Sequence, residues 1–378
     1  MITTVDYRVN LYLDGNLIGD VRELAEDLTW AKRRTATGVD EIDFTLNDHL
    51  FDDWLQKRGT NIQSVLKPMA LDCKIFRDGE AIVGGFLATM PGYKPNGTSA
   101  DLDMRFDGYL NLLNGVYIRP TATRTMRANL MVASWISDAE ARALSAGKAF
   151  GITQGESESL AVITRTFDGY KPVKEAIVEL CDNVEGAGQF DVIFDAYRQY
   201  TIIQNLGRWI TGWHIDYPTT LNGKSATSIS ANEVQGFASH VIEIGAGETS
   251  ADSDQDTAII SESTNSEAVS EYGYVEVVEQ NSSISTQSVL DQHCATKLAT
   301  TSNPRWEPEI ELIGRQVPPS PTVEGGLWIG DVVELLNNID LTGQTNGRFR
   351  INELVVKVSA SNAETITPKM ERVATEDE

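Results

Sequence analysis

The chain is poor in the residues from which most catalytic and metal centres are built. It has three cysteines, Cys73, Cys181 and Cys294, far apart in sequence and without CxxC spacing. That pattern argues against a disulfide framework or a zinc ribbon and predicts reduced core residues. The four histidines, His49, His214, His240 and His293, form no HExxH motif, and none has two other ligands at metal spacing, so each is read as structural. No run approaches the roughly 18 apolar residues of a membrane span. Met1-Ile2-Thr3-Thr4-Val5-Asp6 has neither a basic start nor an apolar signal core. The expectation is synthesis in a cytoplasm without stable membrane association.

Positive charge is scarce as well. Lys and Arg number 31 against 55 Asp and Glu, giving a net charge of -24, which argues against stable nucleic-acid binding by phosphate neutralisation. Between Lys224 and Lys297 there is neither Lys nor Arg, while Glu233, Glu243, Glu262, Glu276, Glu279 and others carry negative charge. The acidic segment 225–296 reads either as a solvated face or as a channel wall past which DNA slides because like charges prevent adhesion. The basic clusters Lys32-Arg33-Arg34 and Arg119, Arg124 and Arg127 are then expected to meet acidic surfaces of neighbouring subunits.

With 378 residues, 41% of them hydrophobic, the chain is long enough for two or three domains with real cores. Tyr7, Val9, Leu11 and Leu13 alternate with polar neighbours before Asp14-Gly15-Asn16, and Ile42, Phe44 and Leu46 alternate likewise, which predicts half-buried strands. Leu50, Phe51, Trp54 and Leu55 have helical spacing up to Gly59, a suitable C-cap. Asp78-Gly79 between Leu71–Phe76 and Ala81–Met90 predicts a tight hairpin. So many strands with few helices suggest a barrel or sandwich. Ser137-Asp138-Ala139-Glu140 predicts a helix start, with Ala141 and Leu144 on the apolar side and Gly147 at the end.

Pro172 suits a first helical turn, with Val173, Ile177, Leu180 and Val184 on one stripe and Gly186 and Gly188 closing it. Strands follow at Phe190–Asp195, Tyr200–Ile203, Trp209–Tyr217 and Val241–Ile244, and Gly245–Asp256 reads as a loop. Beyond it come Val275 and Val277 in a strand, a helix over about Thr286–Thr300 aligning Leu290, Cys294 and Leu298, and strands at Ile310–Ile313, Val332–Leu336 and Phe349–Val358. In the last strand the buried parity switches near Asn352-Glu353, as a β-bulge would cause. Glu371–Glu378 is expected to fray.

Other partial motifs are weak. Gly223-Lys224-Ser225 is preceded five residues earlier by Pro218 instead of the Gly of a phosphate loop. Asp252, Asp254 and Asp256 alternate as in a calcium loop but lack its Gly and Glu. His293-Cys294 are helical neighbours that point about 100° apart. The pair Asp52-Asp53 and the tryptophans Trp209, Trp213 and Trp328 would suit a polysaccharide enzyme, but acidic pairs arise by chance at this composition and the tryptophans fall in strand patterns. No catalytic, cofactor-binding or metal-ligating residue is assigned, and no cofactor is expected.

Two regions carry a resemblance. Ser-Glu-Tyr-Gly-Tyr-Val-Glu-Val-Val at 270–278, followed by one helix, Gly330-Asp331-Val332-Val333-Glu334-Leu335 and Arg348-Phe349-Arg350-Ile351, resembles the C-terminal part of phage tail hub proteins, which share a fold with contractile-tail baseplate hubs. The helix and hairpin over Pro172–Ile203 resemble their middle module. The resemblance implies a β-rich α+β chain with two tail-tube-like β-barrel domains and an inserted mixed α/β module. The corresponding division is 1–105 with 206–245 as the first barrel, 106–205 as the module, and 246–378 as a second barrel-containing domain with one helix.

It further implies a homotrimeric ring at the tail tip of a virion, with two barrels per copy facing a six-fold tube. The implied partners are a distal tail or tail tube protein, a tape-measure protein and tail fibre or tip proteins, with DNA present only in transit. Because the sequence stops soon after the second barrel, a hub without a fibre or lytic extension is expected. The alternatives are a hexameric distal tail ring protein and a polysaccharide-binding or polysaccharide-degrading protein.

Overall fold

The computed structural model describes residues 5–167, 169–181, 190–218, 223–233, 236–247, 258–281, 284, 286–302, 306–339 and 345–373. Two compact units emerge, one made of Met1–Ser230 with Glu309–Glu378 and the other of Ala231–Pro308. The first begins with β1 (Tyr7–Leu13), β2 (Asn16–Asp20), β3 (Glu26–Arg33), β4 (Glu41–Asn47), α1 (Asp48–Gln56), α2 (Ile62–Val65), β5 (Leu71–Arg77), β6 (Glu80–Leu87), β7 (Gly92–Asn96) and β8 (Ser99–Gly108). The strands order as β2-β1-β5-β6-β8-β4-β3. As the alternation predicts, Tyr7, Val9, Leu11, Ile42, Phe44 and Leu46 point into one core. Asn47 caps α1 by accepting from the Leu50 amide, and Asp78 and Gly79 take positive φ at the β5–β6 turn, the conformation an Asp-Gly hairpin needs.

A mixed module follows: β9 (Tyr117–Ile118), β10 (Thr121–Arg127), α3 (Ala128–Ser145), β11 (Thr153–Ser157), β12 (Val162–Phe167), β13 (Lys171–Pro172), α4 (Val173–Cys181), β14 (Asp191–Phe194) and β15 (Gln199–Ile203). It has its own core, in which α3 and α4 bury Met131, Val132, Trp135, Ile136, Ile177 and Leu180. The helix expected from Ser137 begins nine residues earlier. Its buried stripe is Met131, Val132, Trp135, Ile136 and Ala139, whereas Ala141 and Leu144 are exposed. Residues 182–189, which include the expected stop at Gly186 and Gly188, lie outside the described residues.

Next come β16 (Ile215–Tyr217) and β17 (Lys224–Glu233), then the second unit with β18 (His240–Ile244), β19 (Ile260–Thr264), α5 (Ser266–Tyr272), β20 (Glu276–Gln280) and α6 (Gln287–Thr301). In that unit β18 lies between β19 and β20. Val241, Val277, Cys294 and Leu298 pack between sheet and α6. The chain then re-enters the first unit as β21 (Trp306–Ile313), β22 (Val332–Asn337), β23 (Gly347–Val358) and β24 (Glu364–Arg372).

These last strands close a ring. β16, β17, β21, β24, β23 and β22 are hydrogen-bonded in that cyclic order, so β16 and β17, from the segment grouped by sequence with the first barrel, serve as staves of the second. The long strand β23 belongs to both barrels. On one edge Gly347–Arg350 pairs with β22 and Glu353–Val358 pairs with β3, while β24 runs along the other edge. The change of partner coincides with a register shift between Ile351 and Glu353, the bulge that the parity of the buried residues predicts. Bulges bend and twist a strand locally, which lets one backbone leave one cylinder and enter another.

The β24 end of this hairpin is tied to β1 and β5 through side chains. Glu364, fully buried, accepts from the Tyr7 hydroxyl at 2.5 Å and from Arg77 Nε and Nη2 at 2.7 and 3.0 Å. Burial and the adjacent carboxylate push the Tyr7 hydroxyl pKa well above its ordinary value.

Candidate functional site

The residues that carried weak chemical signals are dispersed. His49 is exposed beside Asp48, His214 Nε2 lies 2.7 Å from Asp216 Oδ1, and His240 Nδ1 lies 2.7 Å from Thr264 Oγ1. His293 meets the buried Glu243 at 2.9 Å, and Asn281 donates to the other Glu243 oxygen at 2.7 Å. Among the described residues no three His, Cys, Asp or Glu side chains gather as a metal site. Asp252, Asp254 and Asp256 lie outside the described residues. All three cysteines are buried and free, and Cys294 Sγ approaches the carbonyls of Val241 and Ser261.

The remaining motifs also have structural roles. Gly223-Lys224-Ser225 enters a strand, and a Cβ at Gly223 would overlap the Asp216 carboxylate at 2.1 Å, so the glycine serves packing. Asp52 caps α2 through the Ile62 amide while Asp53 is exposed, hence the two do not face each other across a cleft. Trp213 and Trp328 pack on the barrel core. Trp209, 57% exposed, lies under the Arg348 guanidinium.

What the fold does build is a charged junction. Lys32-Arg33-Arg34, expected to meet neighbouring subunits, is consumed inside the chain. Lys32 donates to Asp40 and to the Phe194 carbonyl, both at 2.6 Å. Arg33 pairs with Glu353 at 2.8 Å and Glu41 at 3.1 Å. Arg34 grips the buried Asp191 through Nε and Nη2 at 3.0 and 2.9 Å, and Asp191 also accepts the Thr35 amide. The correction has a simple cause: β3 borders both β23 and the module, so its last residues are covered on every side, and a buried cation requires a partner. Burial alone would raise the Glu353 pKa, but Lys369 and Arg33 outweigh it and hold that carboxyl below the usual range.

A second lock explains part of the Gly330–Leu335 wording. The Asp331 carboxylate accepts Arg208 N, Nε and Nη2 at 2.8, 3.2 and 2.7 Å and the Trp328 amide at 2.9 Å. Gly330 has φ +83°, and a Cβ there would meet the Leu206 carbonyl at 2.5 Å, so only glycine fits the crossing of the module's exit segment over β22. Asp72 and Arg198 form a further two-pronged clamp, at 2.6 and 2.8 Å, between β5 and the module. None of these three tethers was singled out by sequence, because each joins residues more than 120 positions apart.

Beside the junction, Asp43 and Asp107 crowd Glu41 on one side of β4 and β8. Burial, then the Glu41 charge, push the Asp43 pKa up to about 6. Arg119, Arg124 and Arg127 are exposed and have no ion pair among the described residues. No helix among those residues is long and apolar enough to cross a membrane.

No protein-family model and no curated protein matches the sequence. Solved structures do match, along nearly the whole chain. A 43 kDa tail protein of prophage MuSo2 from Shewanella oneidensis superposes with TM-score 0.62 at 13% identity, covering 97% of this chain and 98% of that one. A tail protein from Neisseria meningitidis MC58 gives 0.59 at 12% identity over 97% and 96%. Prophage tail protein gp18 from Listeria monocytogenes EGD-e gives 0.55 at 11% over 97% and 95%. The chain therefore has the β-rich, barrel-containing fold of these phage tail proteins.

Proposed function

We propose that this chain is a structural component of a phage tail or baseplate, and that it acts there as a trimeric hub at the tail tip. The observation that carries the reading is the pair of barrels joined through one shared hairpin, in a chain that follows the solved tail proteins from end to end. Both barrels are filled: Leu28, Trp30, Phe106, Ile310, Leu335, Phe349, Leu354 and Val356 are among the side chains packed inside. A small barrel closed around such a core has no bore, so any passage for DNA must lie between copies, on the axis of a ring. Three copies would set six barrels against a six-fold tube.

Electrostatics agree with transit without adhesion. A net charge of -24 repels phosphate, so DNA can pass a ring of such subunits without being held. In this reading the hub meets a distal tail or tail tube protein on one side and fibre or tip proteins on the other, resides in the virion, and is made in the host bacterial cytoplasm. Its role is mechanical, with no catalytic step.

Native mass spectrometry of the chain, alone and with tail tube and distal tail proteins, tests this. Three copies per complex are expected. Six copies would favour a distal tail ring, and a chain that stays single with every tail protein would overturn the structural reading.

A further inference from the structure

Two surfaces of this chain are built alike and charged oppositely. The first is a cleft of about 400 Å³ in the module, floored by Ile118, Trp135 and Val173 and rimmed by Arg119 and Arg124. Arg142, also at its edge, is held by the carbonyls of Tyr117 and Asp138, and Asp138 adds one negative charge. Arg119 and Arg124 have no ion pair among the described residues, unlike Arg33, Arg34, Arg77, Arg165, Arg198 and Arg208, which face carboxylates within the molecule.

The second surface is the face of the β19-β18-β20 sheet that points away from α6. Register defines it: Ile242 lies opposite both Glu262 and Val278, His240 opposite Thr264 and Glu276, and Ile244 opposite Ile260 and Gln280. Paired residues share a face, and the alternate rows, with Val241, Glu243, Val277 and Glu279, turn to the helix. The outward face therefore has an apolar centre, with Val278 56% and Ile260 41% exposed. Glu262 and Glu276 rim it, neither with a basic partner among the described residues, whereas Glu279 on the opposite face is paired with Lys297 at 2.5 Å. β19 and β20 are also edge strands of this sheet, which leaves their outer backbone groups without a neighbouring strand.

We infer that the outward sheet face of one copy docks against the arginine-rimmed cleft of the next. An apolar centre with a polar rim is the usual make-up of a specific interface, and here the rims are complementary within one sequence, so a second copy supplies the missing partner of each. Such a contact is head-to-tail, and repetition closes a ring when the rotation allows. This inference rests on the ring reading above and names its surfaces.

The test is charge reversal in the full chain, read by native mass spectrometry and sedimentation velocity, with far-UV circular dichroism to verify folding. Arg119→Glu with Arg124→Glu, and separately Glu262→Arg with Glu276→Arg, are each expected to weaken association at least tenfold. The four substitutions together, which restore opposite charges, are expected to recover the ring. Should a reversed pair disturb folding, Arg119→Gln with Arg124→Gln and Glu262→Gln with Glu276→Gln replace it, with weaker loss expected. A wild-type ring that both reversals leave intact, or a fourfold variant that stays apart, would overturn the assigned surfaces and leave the ring reading standing. A wild-type chain that never self-associates, even with tail proteins, would remove both.

Discussion

At the scale of single residues, burial decides what each charge does. Lys32, Arg33 and Arg34 are consecutive, yet they secure different neighbours: the module through Phe194 and Asp191, and the shared strand through Glu353. Arg34→Ala would strand Asp191 without its cation in a site closed to solvent. Removing one partner of a buried pair typically costs about 3–5 kcal/mol, so a loss of that order is expected in chemical denaturation. Asp43 points the other way. Its pKa is about 6 when folded against 3.8 as the reference value, so its contribution to stability is greatest below the reference value and is lost as pH rises through 6. Asp43→Asn should therefore stabilise the protein at pH 7, by about 1 kcal/mol once screening at this partly exposed site is allowed for. It should also flatten the pH dependence of the unfolding midpoint between pH 4 and 6.

At the scale of elements, β23 is where sequence and fold meet most informatively. Phe349 and Ile351 point inward at odd positions and Leu354, Val356 and Val358 at even ones, all buried, and the bulge between them changes the strand's neighbour from β22 to β3. Deleting Asn352 would put both halves in one parity, removing the bulge at which β23 changes neighbour together with the carbonyl and side-chain oxygen to which Arg34 donates. The expected outcome is loss of cooperative unfolding and of soluble protein, measured by calorimetry and expression. β1, β4, the Asp78-Gly79 hairpin, α1, α6 and the described part of α4 were legible because each has a clear period. The first turns of α3 were not, since Arg127 precedes them without a side-chain cap and the foregoing strand is rich in Thr and Arg. β19 was missed because its residues are mostly Ser and Glu around a single Ile, and α5 because it is a short helix in a polar run. Ring closure was legible only through the resemblance, for it pairs β16 with β22, Ile215 opposite Leu335, and no local pattern encodes so distant a match. The outward sheet face is similarly hidden, as its rows are set by strand register.

At the scale of the whole molecule, the two barrels are one mechanical object. The six-stranded ring cannot open at β23 or β24 without disturbing the sheet that β23 shares with β3, and the tethers at Asp191, Asp331 and Asp72 fasten the module to the same frame. The second unit enters between β17 and β21, so a large segment has been accommodated at one inter-strand connection while the six staves keep their order. The shared hairpin also fixes a timetable. A ribosome delivers β1 through β8 early, but β23, β24 and the Glu364 that ties Tyr7 and Arg77 follow only after the module and the second unit. Until then the edge of β3 away from β4 has no neighbour, and closing contacts of such long separation is slow. Synthesis through β24 is thus itself the quality check, because a copy terminated before it lacks staves of the six-stranded ring.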